Sequence, residues 1–454
     1  MNFIDTFIKW FAPDSFRRLA RQTLWLKRQG KIDAFDFLLS LVFGQASALR
    51  MTLDAQARTF VDPVSRQAVH ERYTPQAVAF FKASFEHVLA EALHHKPDSP
   101  MAAVLRQHFS AVYLLDSTSF DVTASLKSLF PSCGGDGSAA NVKLLLRYEF
   151  IQGQLEPCQL LPGKKSDPGL AALMAGRLQA GQLQLQDKGF YDCQAWKAVQ
   201  AAGAYLVMPW TRSVTVWLPP DVEGAERPLP VATALAATTQ NQMSWPQVLL
   251  GKDHRRIGPV RLVAFRLSEV SAARHRAALR ESARQQGRLP TKEALELAGW
   301  LILITNSPEE KLPSAVLAYL YRLRWQVELI FKQCKDTLRL DQSRSDNACR
   351  VQCEIWARLL AAVLVFLWHT HANAACWHQH HIEISFEKVA HTIQLHGQGL
   401  ARTLMLGGPG LVDALRQLWR CLLKTARKGR QKTRTNTWDR LLHEWLDPQA
   451  VSSC

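Results

Sequence analysis

The sequence predicts an α/β protein, a mixed-direction sheet with helical regions toward both ends of the chain. Three observations carry that reading. Apolar segments run up to acidic residues, Ala111–Leu115 to Asp116 and Leu183–Gln186 to Asp187. Three strand-like segments in succession are followed by strand–helix alternation, the pattern of a sheet covered by helices. Up to about Pro100 and from about Ala348 onward, by contrast, the pattern is helical.

The elements follow in order. Phe35, Leu38, Leu39, Val42 and Phe43 form one helical face, and Asp62-Pro63-Val64-Ser65 resets the chain so that Ser65 caps a helix from Arg66 to Arg72. That pair of helices is compatible with helix-turn-helix DNA recognition or with an ordinary bundle. The run Ala111–Leu115 reads as a buried strand ending on Asp116, with Phe120 and Val122 beyond it. A glycine-rich turn at Cys133–Gly137 leads into Val142–Phe150, and Gln159–Leu161 closes an antiparallel meander. Ser166-Asp167-Pro168 starts a capped helix through Leu170, Leu173, Met174 and Leu178. Leu183–Gln186 is a strand ending on Asp187, and a second helix through Trp196 and Val199 leads to Tyr205–Met208. From Thr211 to Leu297 the proline-rich texture and the alternation at Val260–Leu267 read as an inserted domain. Its basic helix repeats Arg276, Arg280, Arg284 and Arg288 at i,i+4 steps, either a solvated face or a phosphate-contacting stripe. Gly299–Asn306 returns as a fully apolar strand, followed by a helix through Tyr321 and a helical remainder carrying the cationic run Lys424–Arg434.

Composition narrows the partners. The 454 residues carry a formal charge of +16, which favours a polyanion such as nucleic acid over a small acidic metabolite. The longest uninterrupted apolar stretch, Leu359–Trp368, is ten residues, against the ~20 of a spanning helix, so no membrane partner is expected. Nine scattered cysteines and an N-terminus that breaks its apolar stretch with Asp5 and Lys9 lead to the expectation of a cytoplasmic protein with reduced thiols.

Chemistry concentrates near Glu328. Tyr321, Arg324, Glu328 and Lys335 lie at helical offsets 0, 3, 7 and 14, which at ~100° per residue fall at about 0°, 300°, 340° and 320°, one narrow face. Leu323, Val327, Ile330 and Cys334 fall near the opposite side and are expected to pack on the sheet. A solvated salt-bridged ridge would have the same pattern. Asp116 and Asp187, at strand ends of the same core, would join Glu328 as three carboxylates suited to two Mg²⁺ ions, with Mn²⁺ able to replace them, for phosphodiester chemistry.

These residues resemble the DDE transposases of bacterial insertion sequences, specifically the insertion-sequence-four group. Its Tyr-x2-Arg-x3-Glu-x6-Lys signature is matched by Tyr321, Arg324, Glu328 and Lys335. Asp187-Lys188-Gly189-Phe190-Tyr191 matches the second motif and Leu114-Leu115-Asp116-Ser117-Thr118 the first, with a spacing of 71 positions from Asp116 to Asp187 and 141 from Asp187 to Glu328. The resemblance implies an RNase H-like core interrupted by a β-rich insertion. The segments would be a helical DNA-binding region (1–104), a first core part (105–210), the insertion (211–298), a second core part (299–375) and a basic helical region (376–454). It implies cleavage at terminal inverted repeats and joining of 3′ ends to target DNA by a homodimer at the bacterial nucleoid. Catalysis and metal binding would fall to Asp116, Asp187 and Glu328, and DNA contact to Tyr321, Arg324 and Lys335, with Trp300 stacking on a flipped base. Where similar proteins have an Arg this chain has Met208, with Arg212 as the candidate substitute. Two alternatives remain on the same residues: a transposase-derived DNA-binding protein without mobilisation activity, and a nuclease that only hydrolyses.

Other candidates rank lower. Asp167 reads as part of a helix cap, Asp121 lies past the strand end, and Ser117 and Ser119 lack a histidine placed to activate them. Cys376, His378, His380 and His381 are too close together for one zinc ion and lack a second pair at finger spacing.

Overall fold

The computed structural model describes residues 3–427 except 29, 47–51, 95–104, 135–138, 152–153, 157–158, 221–226, 253–255, 323, 325–344, 381 and 383. Glu328 and Lys335, the tip of the glycine-rich turn and most of the cationic run after Arg427 therefore lie outside the described residues.

Helices α1 (Phe3–Trp10), α2 (Pro13–Gln22), α3 (Ala34–Ala46), α4 (Leu53–Ala57), α5 (Arg66–His70) and α6 (Pro75–His94) precede the sheet. The Ser65 hydroxyl accepts from the Ala68 amide and starts α5 where the sequence places it. Strands β1 (Ala111–Val122), β2 (Ala140–Glu149), β3 (Gln154–Leu155) and β4 (Gln159–Pro162) form the antiparallel meander. Helix α7 (Asp167–Ala175), capped by Ser166, leads to β5 (Gln182–Gln186), and α8 (Cys193–Ala201), capped by Asp192, leads to β6 (Tyr205–Pro209). Both β5 and β6 join in parallel, so β1, β5 and β6 end at the same edge of the sheet.

The segment expected as an inserted domain does not build a sheet of its own. It contributes β7 (Val216–Trp217), α9 (Val231–Ala236), β8 (Gln242–Leu250), β9 (Ile257–Arg266), α10 (Glu269–Gln285) and α11 (Lys292–Leu297). Then β10 (Trp300–Thr305) pairs antiparallel with β6 on one side and β9 on the other. The result is one ten-stranded sheet, β3-β2-β1-β5-β6-β10-β9-β8-β7, with β4 also paired to β2. Apolar β10, buried on both faces, needs hydrogen-bonding neighbours on both edges, and β9 supplies the second.

Period-2 alternation divides the sheet between two cores. Val112, Leu114, Leu183, Leu185, Val207 and Leu303 face helices α12 (Ser314–Arg322), α13 (Ala348–His380), α14 (Phe386–Leu406) and α15 (Pro409–Thr425) together with α1, α3 and α6. Leu115, Leu206, Met208, Ile302 and Ile304 face α7, α8 and α9. The terminal helices thus share a core with the sheet. Within α13, Ala348–Cys376 is long and apolar enough to cross a membrane by length and composition, although no uninterrupted apolar run in the sequence exceeds ten residues. It is mostly buried against other protein elements, the surroundings of a core helix.

A guanidinium ties the insertion to the second half of the core. Arg261 on β9 is buried and donates to the Ser307 and Leu312 carbonyls, to the Ser314 hydroxyl and to the Glu309 carboxylate. Glu309 in turn accepts from the Ser314 amide at the start of α12. Five donors in a fixed fork suit this role, since one side chain satisfies several carbonyls of a connecting loop.

On α3, burial and the neighbouring Asp33 push the half-buried Asp36 carboxyl up to about 6, partly opposed by Arg17. Its folded-state value lies above the ordinary 3.8, so the folded form binds the proton more tightly and loses stability as pH rises between those values. Asp36→Asn is expected to melt above wild type at pH 7.5, with the gap closing below pH ~4, where both states of the wild type are protonated. Thermal melts across pH 4 to 7.5 check this, and an unchanged gap at low pH would contradict it.

Candidate active site

Two aspartates meet through strand register. Leu114 on β1 is the register partner of Leu185 on β5, and both side chains enter the core beneath α12 and α13. Two residues further along each strand, the same face carries Asp116 and Asp187. Asp116 is not at a strand end as expected. The pairing of β1 with β5 stops at Leu115, while the antiparallel pairing with β2 continues to Val122, so Asp116 sits mid-strand beside the end of β5. Its Oδ1 accepts from the Ser117 amide at 2.9 Å. Asp187 begins the 3-10 turn Lys188–Phe190 without using its carboxylate as a cap, and that side chain is 38% exposed against 11% for Asp116.

Helix α12 delivers the opposing groups. It starts at the β10 exit, held there by Arg261 and Glu309, and runs back toward the aspartate edge. The Tyr321 hydroxyl donates to Asp187 Oδ1 at 3.5 Å and accepts from Arg324 Nε at 2.9 Å. The Arg324 guanidinium lies 3.7 Å from Asp116 Oδ2 and 3.9 Å from Asp187 Oδ1. At 7% exposure it is a desolvated cation held by two carboxylates and a phenol. Tyr321 and Arg324 are buried in phase with Val316, Leu317 and Leu320, while Leu323, Val327, Ile330 and Cys334, expected to pack on the sheet, lie outside the described residues.

The other expected site residues fall elsewhere. Met208 is fully buried on the opposite face of the sheet, 3.6 Å from the Gln186 amide nitrogen, and exposed Arg212 donates to the Thr291 hydroxyl at the start of α11. Neither compensates the carboxylates, a role that Arg324 fills. Trp300 lies at the carboxylate edge, since β10 runs antiparallel to β6, but it is not free at the rim. Its ring is 6% exposed and belongs to the core under α8 and α9, with the Arg266 guanidinium 4.4 Å from the ring centroid. Arg266 is itself fixed to the Thr238 and Gln240 carbonyls. In the arginine stripe, Arg276 pairs with Glu269 and donates to the Leu295 carbonyl, Arg284 is doubly bonded to Glu281, and Arg280 is exposed. Arg288 leaves the stripe: Gly287, at φ +65°, ends α10 in a Schellman turn with the Arg288 amide donating to Ala283. Cys376 is buried in the apolar core, and His378 and His381 lie outside the residues whose side chains are described.

The donor set suits a hard divalent cation: two carboxylates on one sheet face, converging on one guanidinium. Among the described residues no group of three ligands is present, and the third carboxylate of the motif, Glu328, falls outside them.

Removing the buried indole should act on stability. Trp300→Ala is expected to cost about 3–5 kcal/mol, as large-to-small aromatic core substitutions do. Denaturant unfolding checks this, and wild-type stability with a selective loss of one DNA-processing step would instead place the ring against DNA.

The family model described as Transposase DDE domain matches residues 107–364. The transposase for insertion sequence element IS231F of Bacillus thuringiensis subsp. israelensis is 24% identical over 381 residues, covering 80% of this chain and 78% of that protein. The transposase for IS1151 of Clostridium perfringens is 23% identical over 372 residues, 78% of this chain and 77% of its own. Among solved structures, a piggyBac transposase synaptic complex with hairpin DNA aligns over 96% of this chain and 87% of its own, at a TM-score of 0.44 and 12% identity. The matched span takes in more than half of the chain, with both aspartates and the Tyr321–Arg324 helix inside it, and the chain belongs to the DDE transposase family.

Proposed function

We propose that this transposase works by cut-and-paste, with Asp116, Asp187 and Glu328 holding two Mg²⁺ ions, cleaving at terminal inverted repeats and transferring the 3′ ends to target DNA as a homodimer. The observation that carries the reading is the convergence of Asp116 and Asp187 on Arg324. Metal bound there supplies an activated water or 3′-hydroxyl and charge stabilisation for the leaving oxygen. The chain's own groups prepare the site. Arg324 balances two carboxylates that would otherwise repel each other in a partly buried setting, and the Tyr321 hydroxyl orients it through Nε. Arg324 and Lys335 are the candidates for contact with the scissile backbone, a contact that would position DNA without reading its sequence. The charge of +16 supplies the nonspecific share of affinity, with Arg276, Arg280 and Arg284 on α10 and the cations after Lys424 as its candidate contacts. Helices α4 and α5, with Arg66, Gln67 and His70 exposed, are candidates for end recognition at the nucleoid.

Incubation with paired terminal repeats and a target plasmid tests the reading. Joined products support it, cut ends without joining indicate hydrolysis alone, and binding without cutting indicates a chain that has lost mobilisation. Single Asp116→Asn, Asp187→Asn and Glu328→Gln variants are expected to lose Mg²⁺-dependent cleavage while binding ends nearly as wild type. A variant that cuts at the wild-type rate removes that residue from the site.

The α10 cations are not equivalent. Arg280→Gln is expected to weaken binding to specific and random duplex alike and to lower the salt slope by about 1, as loss of one phosphate contact does. Arg276→Gln should change the slope less, because Arg276 is already engaged by Glu269 and the Leu295 carbonyl. Titrations at several salt concentrations decide, and loss confined to the terminal repeat would indicate base readout.

A further inference from the structure

On the face of the sheet opposite the two aspartates lies a polar cluster of Lys143, Asp167 and Ser117. Lys143, inside the apolar run of β2, is buried and donates to the Lys165 carbonyl at 2.6 Å and to Asp167 Oδ1 at 2.8 Å. The same Asp167 oxygen accepts from the Ser117 hydroxyl at 2.9 Å. Burying an ammonium within a sheet is costly, and Asp167 with a carbonyl offsets that cost. The geometry couples this cluster to the reaction centre in two ways. Ser117 follows Asp116 on β1, and its amide donates to Asp116 Oδ1, so one residue is gripped by Asp167 through its side chain and grips Asp116 through its backbone. The second link is through the turn after Asp187. A Cβ on Gly189 would stand 3.4 Å from Asp167 Oδ2, so the carboxylate lies in contact distance of that turn. Ser166, one residue earlier, accepts from the Gly169 amide as the cap of α7, which leaves the Asp167 side chain available for this bridging.

We propose that Asp167 is a positioning residue of the carboxylate centre, fixing through Ser117 the segment of β1 that presents Asp116. Lys143 keeps Asp167 engaged on its own face of the sheet, so that it orients the ligands without becoming one. The strand segment and the turn that bring their aspartates to one face are thereby referenced to a single carboxylate at the start of α7. This inference rests on Asp116 serving as a metal ligand. Outer groups that orient ligands are commonly worth about 10- to 100-fold in metal affinity or activity.

The test uses the full chain with Ser117→Ala, Ser117→Thr, Asp167→Asn and, as a control, Asp116→Asn. Mn²⁺ binding to the protein without DNA, followed by electron paramagnetic resonance, is measured beside Mg²⁺ dependence of cleavage, end binding and melting temperature. Ser117→Ala is expected to melt close to wild type and to bind DNA ends as wild type. It should require roughly 10-fold more Mg²⁺ for half-maximal cleavage and bind Mn²⁺ correspondingly more weakly. Ser117→Thr, which keeps the hydroxyl, should restore both, and Asp167→Asn should shift both in the same direction as Ser117→Ala. Wild-type metal dependence in Ser117→Ala and Asp167→Asn, with Asp116→Asn inactive, would overturn the positioning role alone. Full cleavage by Asp116→Asn would overturn the assignment of the centre itself. A melting temperature lowered in Asp167→Asn with unshifted Mn²⁺ affinity would make the cluster purely structural.

Discussion

Parallel pairing of β1 with β5 is the constraint on which the rest of the site depends. Because side chains alternate with a period of two, the register that sets Leu114 beside Leu185 also places Asp116 and Asp187 on one face, two residues on. A slip of one residue on either strand would send one carboxylate to the opposite core, among Met208 and Leu115. Register here is specified by the strand's apolar side chains, which fill both cores, so the same packing that stabilises the sheet also sets the spacing of the acids. The meander β1–β2 extends that platform past the end of β5 and leaves Asp116 supported by backbone on one side and open on the other.

Charge balance comes from the helix that closes over this edge. Arg324 is buried and stands at 3.7 and 3.9 Å from the two acids, with Tyr321 taking the shorter bond. A cation at that range lowers the repulsion between two acids. The position of α12 is set far from the chemistry, at Ser307–Ser314, where Arg261 and Glu309 fix its first turn.

Strands, caps and the two aspartates were legible because each is local: apolar runs, a serine at a helix start, an acid in phase with the leucines before it. The burial of Tyr321 and Arg324 was not legible for a physical reason. They share a stripe with Leu317 and Leu320, and neutralisation of the guanidinium by the aspartates is what allows that stripe to turn inward. The insertion reads as separate in composition, yet its strand partners are set by long-range pairing of β10 with β9, which no local pattern encodes. Trp300 shows a similar limit, since the Arg266 that covers it comes from the neighbouring strand. Lys143 inside an apolar run was the unread signal for the cluster around Asp167.

The continuity of the sheet through β10 bears on how such a protein could be shortened or recombined. Excising β7–β9 would uncover the long edge of Trp300–Thr305, a flat row of unpaired amides and carbonyls flanked by Leu301, Ile302, Leu303 and Ile304. An apolar edge of that kind templates pairing between chains, and the loss of Arg261 would free the loop ahead of α12 in the same cut. Trimmed versions of this protein would therefore tend to aggregate before they lose either aspartate, which makes the insertion a solubility element as much as an elaboration of the core.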